Sequence, residues 1–154
     1  MDLGDLISPH GVIPSLKASS KKQALQELSA RAATLTGIDE REIYNTLLQR
    51  ERLGSTGFGN GIAIPHGRMS PLGDIIGIFA RLEEPIDFEA IDEAPVDLVF
   101  LLLAPEDAGA DHLKALARIS RLMREPAAVT KLRASRDKDV LYAVLTEPTA
   151  SHAA

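Results

Sequence analysis

The segment Val96-Asp-Leu-Val-Phe-Leu-Leu-Leu103 is an almost unbroken aliphatic run that ends at Ala104-Pro105. A strand with one solvated face alternates apolar and polar residues, whereas a strand covered on both faces is apolar throughout. The run therefore predicts a strand that is buried on both sides. Helices must cover both faces of its sheet, because the run offers no polar face to water.

The segment from Ser55 to Ile64, upstream of this run, predicts a β-hairpin. Its Asn60-Gly61 dipeptide separates two short strand-like segments, and both residue types readily adopt the left-handed backbone angles of a tight hairpin turn. A hairpin pairs its strands antiparallel, so we expect a mixed sheet. Two further strands are expected, one from Ile75 to Leu82 and a short edge strand drawn from Leu6, Ile7, Val12 and Ile13.

Apolar residues at helical spacing predict two helices before the hairpin and three after the last strand. Ser20-Lys-Lys-Gln23 has the form of a capping box at the start of the first helix, and Gly37 ends that helix. The second helix begins at Asp39 and ends at Gly54. Each of these two helices therefore has a start signal and a stop signal in the sequence.

The third helix is expected from Asp111 to Arg124, the fourth begins at Pro126, and Ser135 is expected to cap the fifth. The side chains of the third helix that are predicted to point inward are Leu113, Leu116, Ala117, Ser120 and Met123. The elements together predict one α/β domain over residues 1–146, in which a mixed parallel and antiparallel sheet is flanked by helices on both faces. Residues 147–154 are expected to form a flexible C-terminal tail.

The composition of this 154-residue chain narrows the possible functions. The formal net charge is -5, and Lys and Arg are spread along the chain, so we expect no nucleic-acid partner. Cysteine is absent, which excludes disulfides and thiolate metal sites. The first residues lack the pattern of a signal peptide, and no apolar stretch is long enough to span a bilayer. A cytoplasmic location without membrane insertion is therefore expected.

Familiar cofactor and metal motifs are missing from the sequence. Gly57, Gly59 and Gly61 do not complete a G-x-G-x-x-G motif, because residue 62 is Ile, and no Gly-Lys-Ser/Thr sequence follows. The four histidines, at positions 10, 66, 112 and 152, are not spaced as metal ligands. We therefore expect neither a cofactor nor a metal.

His66 is the candidate nucleophile, and it lies between Pro65 and Gly67 at the end of an apolar segment. A neutral imidazole can attack phosphorus near pH 7, because its ordinary pKa is about 6.5. Proline fixes one backbone torsion, and glycine leaves room for the backbone of a partner. A surface histidine in a Pro-Gly turn is the alternative interpretation, and the local sequence leaves both open.

Other polar residues also allow two interpretations. The glycine-rich loop either serves the hairpin alone or offers N–H groups to a phosphate, with hydroxyls from Ser55 and Thr56. His112 opens a helix, where it contacts solvent or lies beside a bound anion. Arg50 and Arg52 are two residues apart on a helix, so at most one of them easily points at a given site.

A longer segment carries a resemblance to a known family. Arg50-Glu-Arg-Leu-Gly-Ser-Thr-Gly-Phe-Gly-Asn-Gly-Ile-Ala-Ile-Pro-His-Gly-Arg68 resembles the active-site segment of the fructose/mannitol-type IIA proteins of the bacterial phosphotransferase system, above all their nitrogen-related members. Residues 85–92 and 95–100, Ala104-Pro105 and His112-Leu113 extend the resemblance over roughly Leu3 to Leu145.

The resemblance implies roles for three residues. His66 matches the phosphoryl acceptor, which would become a tele-phosphohistidine, and His112 and Arg50 match residues that stabilise the phosphoryl group. Arg52 lies where the family often has a basic residue. The residues expected to contact partner proteins are Ser55, Thr56, Gly57, Gly59, Gly61 and Arg68.

The resemblance also implies a phosphocarrier function, with an HPr-like phosphohistidine protein as the donor. In one use, the phosphorylation state controls binding to regulated target proteins. In the other, phosphate passes to a IIB domain for sugar uptake. The absence of a IIB, HPr-like or membrane segment in the sequence favours regulation. A binding module without phosphorylation is a third interpretation, which the intact His66, Arg50 and His112 disfavour.

Overall fold

The fold is seen in a computed structural model that describes residues 2–147, which form a six-stranded mixed sheet with helices on both faces. The predicted fold class is confirmed. The strands are β1 (Val12–Leu16), β2 (Gly57–Gly59), β3 (Ile62–Ala63), β4 (His66–Met69), β5 (Ile76–Ile86) and β6 (Val96–Pro105). The helices are α1 (Lys21–Thr36), α2 (Glu40–Arg52), α3 (Ala110–Leu122), α4 (Pro126–Ala134) and α5 (Lys138–Thr146). Two 3-10 turns, Leu3–Asp5 and Pro9–Gly11, precede β1.

Strand β6 lies at the centre of the sheet, whose order is β1-β5-β6-β3-β2, with β4 also paired to β6. It runs antiparallel to β5 and parallel to β3 and β4. The short strands β3 and β4 therefore follow one another along the same edge of β6, β3 opposite Leu98 and Val99 and β4 opposite Leu102 to Pro105. The edge is interrupted at Ile64 and Pro65.

The aliphatic run in β6 is buried on both faces, as the sequence predicts, and residues 98–104 have no exposed surface. Its alternate side chains enter two separate cores. Val99, Leu101 and Leu103 pack with residues of α1 and α2, and Leu98, Phe100 and Leu102 pack with residues of α3, α4 and α5. Burial of each such side chain contributes about 1.5–3 kcal/mol, so both helical layers are held to this strand.

The predicted hairpin is present. Strands β2 and β3 pair antiparallel around Asn60 and Gly61, whose φ angles are 58° and 79°. Among the described strands β1 pairs with β5 alone, so the expected edge strand also exists. It comprises Val12–Leu16, and Leu6 and Ile7 lie before it. Strand β5 continues to Ile86, four residues beyond the predicted end.

The inward face predicted for α3 is wrong by one residue. Leu113 is 64% exposed and Ala117 is exposed, whereas the buried side chains are His112, Ala115, Ile119 and Leu122. The helix buries small Ala115 and polar His112, so a count of large apolar residues selects a neighbouring face. Met123 is buried and Leu116 is half-buried, as expected. The correction matters because it turns His112 towards the sheet.

The cap predicted for α5 is also wrong. The helix begins at Lys138, and the carboxylate of Asp137 accepts hydrogen bonds from the N–H groups of Asp139 and Val140. Ser135 ends α4 instead, and its hydroxyl accepts a bond from the N–H of Asp137. Asp is as good an N-cap as Ser, and it lies next to the first helical residue. The caps predicted for α1 and α2, Ser20 and Asp39, are confirmed. The predicted tail, apart from Glu147, lies outside the described residues.

Candidate functional site

The interruption between β3 and β4 places the ring of His66 at the protein surface. His66 is the first residue of β4, half-buried and opposite Leu102 of β6. The sequence predicted His66 at the end of a strand. Strand β4 itself was not predicted, because it has only four residues. The N–H of Leu102 bonds to the carbonyl of Pro65 at 2.9 Å, which fixes the backbone just before the histidine.

Helix α2 approaches β4 closely enough to bring Arg50 against His66. A Cβ atom on Gly67 would lie 2.7 Å from Cγ2 of Thr46, well inside the distance that real side chains keep. The Thr46 rotamer is held, because its hydroxyl donates to the carbonyl of Glu42 at 2.9 Å. Glycine at position 67 therefore allows the close approach of the helix, a role inside the domain that the sequence did not indicate.

The two nitrogens of the His66 ring have different partners. Nδ1 lies 2.9 Å from the carbonyl oxygen of Ile64. A carbonyl oxygen only accepts hydrogen bonds, so Nδ1 carries the proton in the neutral ring. The lone pair is then on Nε2, which accepts a hydrogen bond from Nε of Arg50 at 3.2 Å. Nε2 is thus the unprotonated nitrogen of this ring.

Arg50 is anchored at a second point. Its Nη1 donates to the carbonyl oxygen of Gly54 at 2.9 Å, just beyond the C-terminal end of α2. An arginine at this end of a helix also lies beside unpaired carbonyl groups, where positive charge is favourable. The guanidinium is therefore held in one orientation next to Nε2 of His66 before any ligand arrives.

His112 lies beside the His66 ring. The two ring centroids are 5.8 Å apart, and the ring planes are inclined at 54°. His112 is in the first turn of α3 and is only 5% exposed. Its Nδ1 atom is buried, and no other described residue offers it a hydrogen bond. The structure thus brings together the two histidines and the arginine that the sequence analysis singled out.

Both histidines are held in the uncharged state more strongly than a free imidazole. Burial is the largest effect on the pKa of His66 and lowers it, and the positive charge of Arg50 lowers it further. The hydrogen bond to Ile64 and the negative charge of Glu51 raise this pKa, but the net shift is downward. Burial also lowers the pKa of His112, followed by the charges of Arg68 and His66. Near neutral pH the lone pair on Nε2 of His66 is therefore available.

Arg68 and Arg52, the other two arginines considered, occupy different positions. Arg68 is exposed on β4, near enough to His112 for its charge to act on that ring. Arg52 is exposed and lines a surface cavity between α1 and α2, together with Lys21, Tyr44 and Glu89. Of the pair Arg50 and Arg52, the residue that bonds to His66 is Arg50, as the helical spacing requires for at most one of them.

The residues expected to contact partners have roles within the domain as well. The hydroxyl of Ser55 donates to the carbonyl of Phe88 at 2.7 Å, and the hydroxyl of Thr56 donates to the carboxylate of Glu51. A Cβ atom at Gly57 would lie 2.9 Å from Cβ of Ala90. Gly59 and Gly61 have φ angles of 111° and 79°. Contact of these residues with a partner remains a prediction.

The sequence did not predict two groups that hold the site, the carbonyl of Ile64 and the carboxylate of Glu51. A backbone carbonyl has no sequence signal. Glu51 follows Arg50 in the last turn of α2. An acidic residue is unfavourable at the C-terminal end of a helix, and this unfavourable position is a sequence hint that Glu51 has a tertiary role.

Three large apolar side chains are exposed next to residues of the site or of the glycine-rich loop: Leu53 by 85%, Ile91 by 80% and Leu113 by 64%.

Two other features are absent from residues 2–147. In that range no group of three or more His, Cys, Asp or Glu side chains could hold a metal ion. None of the helices there has the length and apolar character needed to cross a membrane.

The fold and the site define a class of protein: a small mixed α/β domain that presents a neutral histidine with its Nε2 atom facing a fixed arginine. Residues 5–147 match the family described as "Phosphoenolpyruvate-dependent sugar phosphotransferase system, EIIA 2". The chain belongs to this EIIA type-2 family.

Individual relatives come from both branches of the family. A protein of Bradyrhizobium diazoefficiens named "Nitrogen regulatory protein" is 60% identical over 153 residues, which cover 99% of this chain and 100% of the relative. A Haloferax volcanii protein named "PTS system fructose-specific EIIA component" is 35% identical over 130 residues and 84% of each chain. The crystal structure of nitrogen regulatory protein IIA-Ntr from Neisseria meningitidis matches with a TM-score of 0.89 and 31% identity, covering 94% of this chain and 99% of that one.

Proposed function

We propose that this protein is a phosphocarrier that accepts a phosphoryl group on Nε2 of His66 from an HPr-like phosphohistidine protein, and that it acts mainly as a regulator. The observation that carries the proposal is the pair of bonds on the His66 ring. The carbonyl of Ile64 holds the proton on Nδ1, and Arg50 lies at Nε2, so the nucleophilic lone pair and a cation share one position.

The transfer step follows from this arrangement. The lone pair on Nε2 of His66 attacks the phosphorus atom of the donor, and the phosphorus–nitrogen bond of the donor phosphohistidine breaks. The departing donor imidazole keeps that electron pair. The Nδ1 proton of His66 stays on the bond to Ile64. Arg50 shifts its N–H groups from Nε2 to the oxygens of the phosphoryl group, whose charge it offsets.

His112 and Arg68 support the same step. The His112 ring is adjacent to that of His66 and is kept uncharged, so it does not repel Arg50. When a phosphoryl group of about -1.5 to -2 charge arrives, it favours a hydrogen-bond donor on the neighbouring ring. We propose that His112 stabilises the phosphoryl group and that exposed Arg68 contributes to contact with protein partners.

Protein partners are also indicated by the exposed apolar residues around the site. Leu53 precedes the glycine that anchors Arg50, Leu113 follows His112, and the N–H of Ile91 bonds to the carbonyl of Gly57 at 3.1 Å. Exposed apolar side chains grouped beside a polar centre are typical of protein interfaces. The donor and the regulated targets would therefore dock over the same face, in the cytoplasm.

Regulation is favoured by a relative that is 60% identical over 99% of this chain and is named "Nitrogen regulatory protein". The second candidate is a sugar-specific IIA component that passes phosphate to a IIB domain. The relative named as a fructose-specific EIIA component favours that candidate. The two functions share the phosphorylation step and differ in the next acceptor.

The decisive experiment is phosphorylation with purified enzyme I, an HPr-like donor and phosphoenolpyruvate. The protein should become labelled in a form that acid cleaves and base does not, as phosphohistidine requires. His66→Ala should remain unlabelled, while His10→Ala, a matched histidine outside the site, should be labelled like the wild type. Full labelling of His66→Ala would show that another residue is the acceptor.

A further inference from the structure

Glu51 is a buried acid that has no part in the transfer step. Its side chain is 3% exposed, in the last turn of α2, directly after Arg50. The carboxylate accepts a bond from the N–H of Thr56 at 3.0 Å and another from the Thr56 hydroxyl. It also pairs with Nζ of Lys21 at 2.9 Å. A buried carboxylate with this many donors fixes the segment to which it bonds.

A continuous chain of hydrogen bonds leads from this carboxylate to the His66 ring. Thr56, which Glu51 holds at two atoms, accepts a bond at its carbonyl from the N–H of Ile64 at 3.0 Å. The carbonyl of Ile64 in turn accepts the Nδ1 proton of His66 at 2.9 Å. Glu51 is therefore connected to Nδ1, while the preceding residue, Arg50, bonds to Nε2. Two consecutive residues of α2 thus act on the two nitrogens of one ring.

The carboxylate of Glu51, where this series of hydrogen bonds begins, is held by a residue of helix α1. Lys21 is the first residue of α1, and its side chain is 14% exposed. Its ammonium group lies 4.8 Å from the centre of the Phe88 ring, and Glu89 is a more distant partner at 3.8 Å. Removing one partner of a buried ion pair is costly, because the other charge is left buried and unpaired. Lys21 therefore holds the carboxylate of Glu51 in place.

We propose that Glu51, held by Lys21, is a positioning residue that sets the tautomer of His66. By holding Thr56 against Ile64, it keeps the Ile64 carbonyl on Nδ1 and the lone pair on Nε2. The hydrogen bond at one ring nitrogen decides which nitrogen carries the proton. The inference rests on the proposed function only in that Nε2 is the acceptor atom. The tautomer itself can be measured without phosphorylation.

The test compares four variants by nitrogen NMR of the His66 ring, at a pH at which the ring is neutral. Glu51→Gln loses the charge and cannot accept the Thr56 hydroxyl proton at its amide nitrogen. Thr56→Val removes the hydroxyl, and Thr56→Ser is the conservative variant that retains it. Asp97→Asn is the matched control, because it breaks another ion pair, with Arg133 at 2.9 Å, that is not in the chain to His66. The free energy of unfolding is measured for each.

The wild type, Thr56→Ser and Asp97→Asn should have the proton on Nδ1. In Glu51→Gln and Thr56→Val a second tautomer should appear, with the proton on Nε2. The rate of phosphoryl acceptance in those two variants should fall about 10- to 100-fold, as expected for a misplaced nucleophile. This fall in rate should be larger than the fall in Asp97→Asn, even when the variants lose the same free energy of unfolding.

Three results would overturn the inference. They are an unchanged tautomer in folded Glu51→Gln, equal tautomers in Thr56→Val and Thr56→Ser, and a shift in Asp97→Asn as large as in Glu51→Gln. If Glu51→Gln does not fold, the two Thr56 variants decide. If the wild type accepts no phosphate, the proposed function fails, but the tautomer comparison still decides the role of Glu51.

Discussion

The site depends on one ring whose two nitrogens are both engaged before any partner arrives. The bond from Arg50 to Nε2 of His66 has two consequences. It lowers the affinity of the ring for a proton, and it occupies the lone pair that attacks phosphorus in the proposed transfer. In that transfer the hydrogen bond from Arg50 must pass from the ring nitrogen to a phosphoryl oxygen. A group that is already anchored to Gly54 makes that shift with little loss of orientation.

The pH dependence of phosphorylation is the first prediction at this scale. Burial and the charge of Arg50 lower the pKa of His66 below its ordinary value of 6.5. The neutral ring is the proposed reactive form, so the rate should fall to half of its plateau value at a pH below 6.5. A titration of the His66 ring by NMR should have its midpoint at the same pH as the decline in rate. A midpoint above 6.5 would contradict the environment described for this ring.

Arg50 and Arg52 form a matched pair for the second prediction. Arg50→Ala removes the cation beside Nε2, which should cost about 2–4 kcal/mol of transition-state stabilisation, or roughly 30- to 1,000-fold in rate. Arg52→Ala removes the same charge from the same helix, away from the ring, and should change the rate little. Initial rates of labelling at limiting donor provide the measurement. Equal rates for the two variants would mean that Arg50 does not act on the phosphoryl group.

The residues that come together at the candidate site could be predicted from the sequence, because their types carry the proposed chemistry. Imidazole and guanidinium side chains, in a segment that resembles a known family, pointed to His66, Arg50 and His112. The partners that hold them could not be predicted. The carbonyl of Ile64 is a backbone atom, and Glu51 reaches Thr56 only when α2 ends and the chain turns back. Such contacts arise from packing and have no local pattern.

At the scale of elements, the site is a product of the close contact between α2 and β4. The sequence predicted α2 with its cap at Asp39 but did not predict β4, a four-residue strand after a proline. It also predicted α3 while assigning the wrong face to the core. Periodicity identifies an element reliably when it is long and apolar. The rotation of a helix that buries alanine and histidine depends on the neighbours it meets.

Gly67 provides the test of the contact between α2 and β4. In Gly67→Ala the new Cβ would lie 2.7 Å from Cγ2 of Thr46, so the helix and the strand must separate. Overpacking of this kind should cost about 1–3 kcal/mol of unfolding free energy. The rate of phosphorylation should fall too, because Arg50 moves with α2. Denaturant unfolding and initial labelling rates are the two measurements.

Two further variants make the Gly67 test specific. Thr46→Ser removes Cγ2 and keeps the hydroxyl, so adding it to Gly67→Ala should restore both stability and rate. Gly73→Ala is the control, because no atom lies within 4 Å of its added Cβ. If the double variant remains as impaired as Gly67→Ala, the contact with Thr46 is not what requires glycine.

At the scale of the whole molecule, the central strand β6 supports both the two cores and the candidate site. Alternate side chains of β6 hold α1 and α2 on one face and α3 to α5 on the other, while its parallel edge carries β3 and β4. The site is therefore drawn from helices of both layers, Arg50 from one and His112 from the other. The two layers were predictable from the aliphatic run, because it has no polar face. That residues of both layers meet at His66 could not be predicted, because it depends on the strand order, and the sequence patterns do not reveal that order.

Phosphorylation of the half-buried His66 ring should switch the binding of partners without refolding the domain. The phosphoryl group adds about -1.5 to -2 charge at His66, and the exposed side chains of Leu53 and Leu113 belong to residues next to Gly54 and His112 of the site. A partner that covers these apolar residues and the neutral ring would then have to bury a phosphoryl group whose charge Arg50 offsets only in part, which is costly. The unphosphorylated protein should therefore bind at least one target that the phosphorylated protein does not.

The measurement is an affinity capture with the protein before and after phosphorylation, alongside His66→Ala, which should retain the target under both conditions. Leu113→Ser should weaken capture, whereas Val140→Ser should not, because Val140 is an exposed apolar residue of α5, outside the group around His66. Domain structure in the phosphorylated state can be compared by amide NMR shifts, which should change only near the site. Identical partners in both states, together with rapid transfer of phosphate to a sugar-specific IIB protein, would contradict regulation and favour transport.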